Sequence, residues 1–164
     1  MRARLRTDKG ASLVEFALVL PIFMGLVLAM FTGGLAYTVR QAITQGARES
    51  ARAAATTPVT TTVNAWLDDI ATVAERSADG ELATGEPGRY LCVALIRNGV
   101  VSRRETVGNA TSYTTGTPCF DDGLSVASSR RVQVLARRTR EMEAIFFSNT
   151  LDLEGRAVAR YEIP

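Results

Sequence analysis

Uncharged and largely apolar residues fill one long stretch near the start of the chain. From Phe16 to Val39 the sequence contains no charged residue over 24 positions. In an α-helix this run extends roughly 36 Å, which is enough to cross a bilayer core of about 30 Å. The pattern therefore predicts a membrane helix over about residues 16–39.

A helical pattern continues beyond the apolar run to about Ala55. Small and aliphatic residues recur there at spacings of three and four, whereas arginines lie along another side. Thr56-Thr57-Pro58 predicts the end of the helix, since proline is disfavoured in a helix interior. The residues that keep the helical spacing are Ala36, Val39, Ile43, Ala47, Ala51 and Ala54.

The rest of the chain carries the patterns of a second helix and of paired strands. Apolar residues between Val63 and Ala74 follow the amphipathic spacing of a helix. Tyr90–Arg97 and Val100–Thr106 are predicted to form a hairpin, because the Asn98-Gly99 between them suits a type I′ turn.

Two further strands are predicted over Arg131–Arg138 and Leu153–Glu162. The polar residues 107–129 are predicted to form a long loop. Residues 141–150 are predicted to form a short helical or looped connection, with Ile145, Phe146 and Phe147 covering the core. Together these elements predict an α+β fold with a small antiparallel sheet of three or four strands.

Composition and charge narrow the classes of function. The chain of 164 residues is 46% hydrophobic and 22% charged, with a net charge of +2. Residues 1–10 hold four basic residues and one acidic residue, so they account for this excess. Nucleic-acid binding therefore gains no support from the charge. Positive charge before an apolar helix favours a cytoplasmic N-terminus and an exported C-terminal part.

Later arginines also lack the pattern of a nucleic-acid site. Glu141 and Glu143 adjoin them, and no aromatic residues are interleaved, so we predict a solvated or partner-facing surface. These arginines are Arg130, Arg131, Arg137, Arg138 and Arg140.

The sequence contains no candidate set of catalytic residues. The chain has no histidine, which removes Ser-His and Cys-His systems and the usual catalytic zinc ligands. Asp68 and Asp69 are consecutive, point about 100° apart on the predicted second helix and are interpreted as a solvated face. No phosphate-binding or dinucleotide-binding motif occurs. We therefore predict no enzyme activity, no cofactor and no metal site.

The start of the apolar run holds an unexpected carboxylate. In KGASLVEFALVLP, residues 9–21, Glu15 is the fifth residue after Gly10 and precedes Phe16. A carboxylate at the edge of a membrane-length segment is costly unless it has a partner or a function. The basic leader, Gly10, Ala11 and Glu15 together resemble a type IV prepilin junction. With ALVLP and QGARESARAAA included, residues 9–55 resemble the TadE-like pseudopilins of the tight-adherence (Flp-type) pilus system.

The resemblance implies a pilin-like fold and a function in assembly. A membrane-embedded prepilin peptidase would cut between Gly10 and Ala11, separating a leader (1–10) from a long helix (11–56) and an exported head (57–164). The implied partners are this peptidase, other pilins and pseudopilins, the assembly platform of the bacterial inner membrane, and membrane lipid. Major pilins of these systems are much shorter than this chain, so its large head suggests a minor pseudopilin.

Cleavage would give Glu15 a partner. Ala11 would then bear a positive amine one helical turn away, which the carboxylate could neutralise within one subunit or between neighbours. In a simpler interpretation, Glu15 is a helix-start residue that interacts favourably with the helix dipole.

Two other interpretations of the N-terminus remain open. A cleaved secretory signal has a shorter apolar core than this one. An uncleaved signal anchor would make the protein a membrane-anchored, exported binding or sensor domain.

Small residues recur every fourth position along the predicted membrane helix. Such a seam permits close approach of another helix, although alanine and glycine are also common in membrane helices. Proline in this series leaves the carbonyl of Ala17 without its helical donor and can bend the helix. The seam consists of Ala17, Pro21, Gly25, Ala29 and Gly33.

The two cysteines, Cys92 and Cys119, lie in the first predicted strand and in the long loop. An exported head would occupy an oxidising compartment, where a disulfide between them is permitted. Two unrelated buried thiols are the alternative.

Overall fold

The computed structural model describes residues 9–127, 129–144 and 147–162. Most of the predicted leader, and Ile145 and Phe146 of the predicted core cover, lie outside these ranges. The fold is α+β, as predicted, with two helices and one antiparallel sheet. Its elements are α1 (Lys9–Thr56), α2 (Val63–Ser77), β1 (Arg89–Arg97), β2 (Val100–Val107), β3 (Ala110–Thr115), β4 (Arg131–Ala144) and β5 (Phe147–Arg160).

Contacts divide the chain into two units, which we call the N-terminal unit (Met1–Tyr37) and the C-terminal unit (Thr38–Pro164). The second half of α1 thus belongs to the same unit as α2 and the sheet. The predicted partition into leader, helix and head depends on processing and stays a prediction.

The sheet has five antiparallel strands in the order β3-β2-β1-β4-β5. The sheet therefore has one strand more than the upper end of the predicted three or four. The missing strand is β3, which lies within the predicted 107–129 loop and pairs with β2. All six of its residues are exposed, so it lacks the alternation of apolar and polar residues that reveals a half-buried strand.

The predicted connection over 141–150 was also wrong. β4 continues to Ala144 and β5 begins at Phe147, so the two strands pair along their whole length. The pairing of β1 with β4 ends at Arg89 and Arg138. Residues 141–150 lie beyond that point, where β4 and β5 pair with each other, and the local sequence there carries no strand signal. The side chain of Phe147 is outside the described part of the structure, as are the two residues before it.

The main core of the C-terminal unit lies between the two helices and one side of the sheet. The spaced residues of α1, from Val39 to Ala54, are buried as their periodicity predicts. α2 contributes Trp66, Leu67 and Ile70. Strands β1 and β4 add mainly valine and leucine. The strand residues in this core include Leu91, Val93, Leu95, Val132, Val134 and Ala136.

Two glycines let α1 pack closely on its neighbours. A Cβ atom on Gly46 would lie 2.7 Å from the carbonyl oxygen of Ala74 in α2. A Cβ atom on Gly155 in β5 would lie 2.8 Å from the Cα atom of Thr44. Any larger residue at either position would push the backbones apart, so Gly46 is required for packing although it lowers helix propensity.

The opposite side of the sheet is covered by the segment between β3 and β4. Cys119 of this segment forms a disulfide with Cys92 of β1, with 5.8 Å between their Cα atoms. The predicted bridge is therefore present in the structure. Buried Ala94, Ile96 and Val101 form a small second core beneath the segment.

Candidate functional site

The exposed first half of α1 is the most distinctive surface of the N-terminal unit. Its large apolar side chains are exposed in the structure, for example Leu13 at 69% and Phe31 at 66%. The helix is long and apolar enough to cross a membrane, and none of its most apolar window is buried against protein. A hydrocarbon environment would cover these side chains, which is consistent with a single-pass membrane protein.

The predicted processing residues lie at the start of this helix. Gly10 and Glu15 are both exposed. Among the described residues, no atom other than those of Gly10, its chain neighbours and the adjacent helix backbone lies within 4 Å of the position where a Cβ atom of Gly10 would be. Residues four apart on an α-helix are about 6 Å apart along the axis and rotated by about 40°. The backbone of Ala11 and the residue Glu15 therefore share one side of α1, with Phe16 following directly.

The small residues at positions 17, 21, 25, 29 and 33 are all exposed, as the predicted seam requires. However, a spacing of four advances about 40° per step around a straight helix, so the series rotates by about 160° from Ala17 to Gly33. The seam is consequently a shallow spiral rather than a straight stripe. α1 continues through Pro21 as one helix.

Thr32 is a polar residue within the apolar segment that the hydropathy pattern did not mark. The Thr32 hydroxyl donates a hydrogen bond to the Leu28 carbonyl at 2.9 Å. This bond satisfies the hydroxyl within the helix, so Thr32 adds little polar surface to a segment that crosses hydrocarbon.

In the C-terminal unit, ion pairs connect α2 to the sheet. Arg89 of β1 pairs with Glu75 at 2.5 Å, and Arg104 of β2 pairs with Asp68 at 2.7 Å. Asp68 also accepts a hydrogen bond from the Tyr113 hydroxyl at 2.7 Å, and this bond raises the pKa of Tyr113. The predicted solvated face is thus correct for exposed Asp69 but wrong for Asp68, which joins α2 to β2 and β3.

The predicted solvated or partner-facing surface fits the exposed Arg130 and Arg140 but is wrong for two other arginines of this group. Arg131 and Arg138 have only 4% and 3% of their side chains exposed. Arg138 pairs with Glu86, and Arg140 pairs with Glu81 at 2.9 Å. Their acidic partners lie far away along the chain, which local charge patterns cannot reveal.

A polar network holds the segment before β4 against the sheet. Buried Gln133 accepts a hydrogen bond from the Cys119 N–H at 3.1 Å and donates one to Asp122 at 2.8 Å. Arg131 pairs with Asp122 at 2.6 Å and donates to the Leu124 carbonyl at 3.0 Å. Burial raises the pKa of Asp122, but the hydrogen bonds from Gln133 and the Leu124 N–H and the charge of Arg131 outweigh it, so the pKa is lowered.

These arrangements offer an apolar surface long enough for membrane insertion and a set of ion pairs that fix the fold. Within the described ranges, no cluster of three or more histidine, cysteine, aspartate or glutamate residues could hold a metal ion. Glu75, Asp68, Glu81, Glu86 and Asp122 are each paired with an arginine. The pairs of arginine with aspartate or glutamate fix the fold, and the exposed apolar helix offers a surface to lipid or to partner helices.

Residues 10–52 match the family model described as TadE-like protein. The match confirms, over this segment, the family that residues 9–55 predict, and it supports involvement in the tight-adherence pilus system. Neither a curated protein nor a solved structure shows significant similarity to the chain.

Proposed function

We propose that this protein is a minor pseudopilin of a tight-adherence type IV pilus. In this proposal a prepilin peptidase cleaves between Gly10 and Ala11, and the mature protein takes part in pilus assembly. The observation that carries the proposal is an exposed apolar helix with one carboxylate near its start, in the segment that matches the TadE-like family.

The proposed location is the bacterial inner membrane. The basic leader would stay in the cytoplasm, the apolar part of α1 would cross the bilayer once, and the head would face outward. The proposed partners there are the peptidase, other pilins and pseudopilins, the inner-membrane assembly platform and the surrounding lipid. The disulfide between Cys92 and Cys119 is consistent with an oxidising, extracytoplasmic compartment.

Glu15 supplies the chemistry of the proposed assembly step. Cleavage creates an amine at Ala11, and a charged amine in low dielectric is costly without an opposite charge nearby. The Glu15 carboxylate, one turn along the helix, compensates that amine in its own subunit or in a neighbour. Assembly would then bury a neutral pair instead of two separate charges.

Substitution of Glu15 tests this proposal. Glu15→Leu removes the carboxylate and makes membrane insertion easier, so the protein should accumulate in the membrane while pilus production fails. Glu15→Asp keeps the charge and serves as the matched control, with at least partial pilus production. Piliation is measured in strains that carry each variant in place of the wild-type gene. Normal piliation with Glu15→Leu would contradict the assigned function of the carboxylate.

A further inference from the structure

A cleft with two unpaired arginines lies at one end of the sheet in the C-terminal unit. It has a volume of about 940 Å³, and its lining includes Leu124, Arg130, Val158, Arg160 and Glu162. We call it the arginine cleft. It lies where β4 begins and β5 ends, since Arg131 and Arg160 are partners in the register of these strands.

Arg130 and Arg160 differ from the neighbouring arginines, which form ion pairs. Arg131, Arg137, Arg138 and Arg140 on β4, and Arg156 on β5, each pair with a carboxylate. Arg130 and Arg160 are exposed and form no ion pair with any carboxylate of the described residues. Both of these unpaired arginines line the same cleft.

The surrounding structure holds the cleft in shape. Arg130 donates a hydrogen bond from Nε to the Asn98 side-chain oxygen at 3.4 Å, which leaves its two terminal nitrogens for a ligand. The facing segment is fixed by Arg131, which donates to the carbonyls of Leu124 and Ser125 at 3.0 and 3.1 Å. A preorganised site loses less conformational entropy when a ligand binds.

Apolar surface lies beside the two charges. Leu124 is 58% exposed and Val158 is 44% exposed, although both line the cleft. Guanidinium groups bind carboxylates through paired hydrogen bonds, and exposed aliphatic side chains gain by contact with apolar ones. The combination suits a ligand that carries both carboxylates and apolar side chains.

We propose that the arginine cleft binds an acidic, apolar-flanked peptide segment of a partner protein. Arg130 and Arg160 contact its carboxylates, and Leu124 and Val158 contact its apolar side chains. Glu162, an exposed residue that also lines the cleft, disfavours a ligand with excess negative charge and so limits which acidic segments bind. This inference concerns the C-terminal unit and does not depend on cleavage of the leader.

Peptide titration of the full chain in zwitterionic detergent micelles tests the proposal. The probe is a capped hexapeptide of alternating glutamate and leucine, and its control replaces every glutamate by glutamine. The readout is the NMR shift of the Leu124 and Val158 methyl groups. The acidic peptide should shift these methyls saturably, and the glutamine peptide should bind at least several-fold more weakly.

Matched variants separate the cleft from general charge effects. Arg130→Gln and Arg160→Gln should each weaken binding by roughly tenfold, as expected for loss of one charge-assisted hydrogen bond. Arg76→Gln removes an exposed arginine on α2 that forms no ion pair among the described residues, and should leave binding unchanged. Glu162→Gln should strengthen binding, because it removes a repelling charge.

Three results would overturn the proposal. Equal weakening by Arg76→Gln and Arg160→Gln would mean that binding follows net charge. Equal binding of the glutamine peptide would mean that the apolar side chains act alone. Methyl shifts with soluble short-chain phosphatidylglycerol but none with the acidic peptide would assign the cleft to lipid.

Discussion

At the scale of single residues, Asp122 shows how a charged side chain is stabilised away from water. Only 10% of its side chain is exposed, and it pairs with Arg131, of which 4% is exposed. Hydrogen bonds from Gln133 and from the Leu124 N–H complete its surroundings. The charged carboxylate is therefore favoured in the folded protein, and its pKa lies below the ordinary value.

This lowered pKa predicts how stability depends on pH. The unfolded carboxyl has a pKa of about 3.9, so its contribution to stability is fully present above that pH and is lost as pH falls through the lower folded value. Asp122→Asn should reduce the free energy of unfolding by about 2 kcal/mol at neutral pH. The difference from wild type should stay constant from about pH 7 to 5 and shrink below about pH 4.

Urea unfolding of the full chain in micelles, followed by the fluorescence of Trp66, measures this difference. Asp121→Asn is the matched control, because Asp121 is exposed and forms no ion pair among the described residues. If the difference in unfolding free energy between the wild type and Asp122→Asn stays unchanged down to pH 2, the charge of the carboxylate does not contribute to stability.

At the scale of elements, prediction from sequence succeeded where a local signal coincided with burial. Asn98-Gly99 predicted the β1–β2 hairpin, and the structure pairs Arg97 with Val100 across that turn. The periodicity of α2 was equally clear, since its buried residues lie on one side. β3 was missed because an exposed edge strand has no apolar face. The turn end of the β4–β5 ribbon was missed because only the pairing of the two strands with each other defines it.

The disulfide joins two elements that are far apart in sequence, β1 and the segment before β4. Its cysteines are 27 positions apart, and closing a loop of this length stabilises a fold by roughly 3–4 kcal/mol in the chain-entropy model. Thiol labelling of the denatured, non-reduced protein should therefore find no free cysteine. After reduction, both thiols should react and the urea midpoint should fall.

A double variant separates the effect of the disulfide bond on stability from the effect of the two cysteine side chains. Cys92→Ala with Cys119→Ala should lower the urea midpoint about as much as reduction lowers that of the wild type. Two labelled thiols in the non-reduced wild type would refute the bridge.

At the scale of the whole molecule, the helix of the N-terminal unit could be predicted from the sequence, whereas the arginine cleft of the C-terminal unit could not. The membrane-length helix and its family resemblance follow from a contiguous run of residues, so they could be predicted directly and residues 10–52 match the family model. The arginine cleft could not be predicted, because Asn98, Arg130 and Arg160 meet only once β1, β4 and β5 pair. Local sequence likewise could not show which arginines are buried in ion pairs.

Cleavage after Gly10 is the central claim of the proposed function. A peptidase that cuts after glycine should tolerate no side chain at that position, and the open space around Gly10 in the protein itself gives no folding reason for glycine there. Gly10→Val should thus block processing without unfolding the C-terminal unit. Gly25→Val, within the same helix and equally unobstructed, is the matched control and should still be processed.

N-terminal sequencing of the protein purified from membranes of its native host tests this claim most directly. We predict that the wild type and the Gly25→Val variant begin at Ala11, and that Gly10→Val retains residues 1–10. A wild-type protein that retains residues 1–10 in a strain that processes its other prepilins would contradict the account and identify α1 as an uncleaved signal anchor.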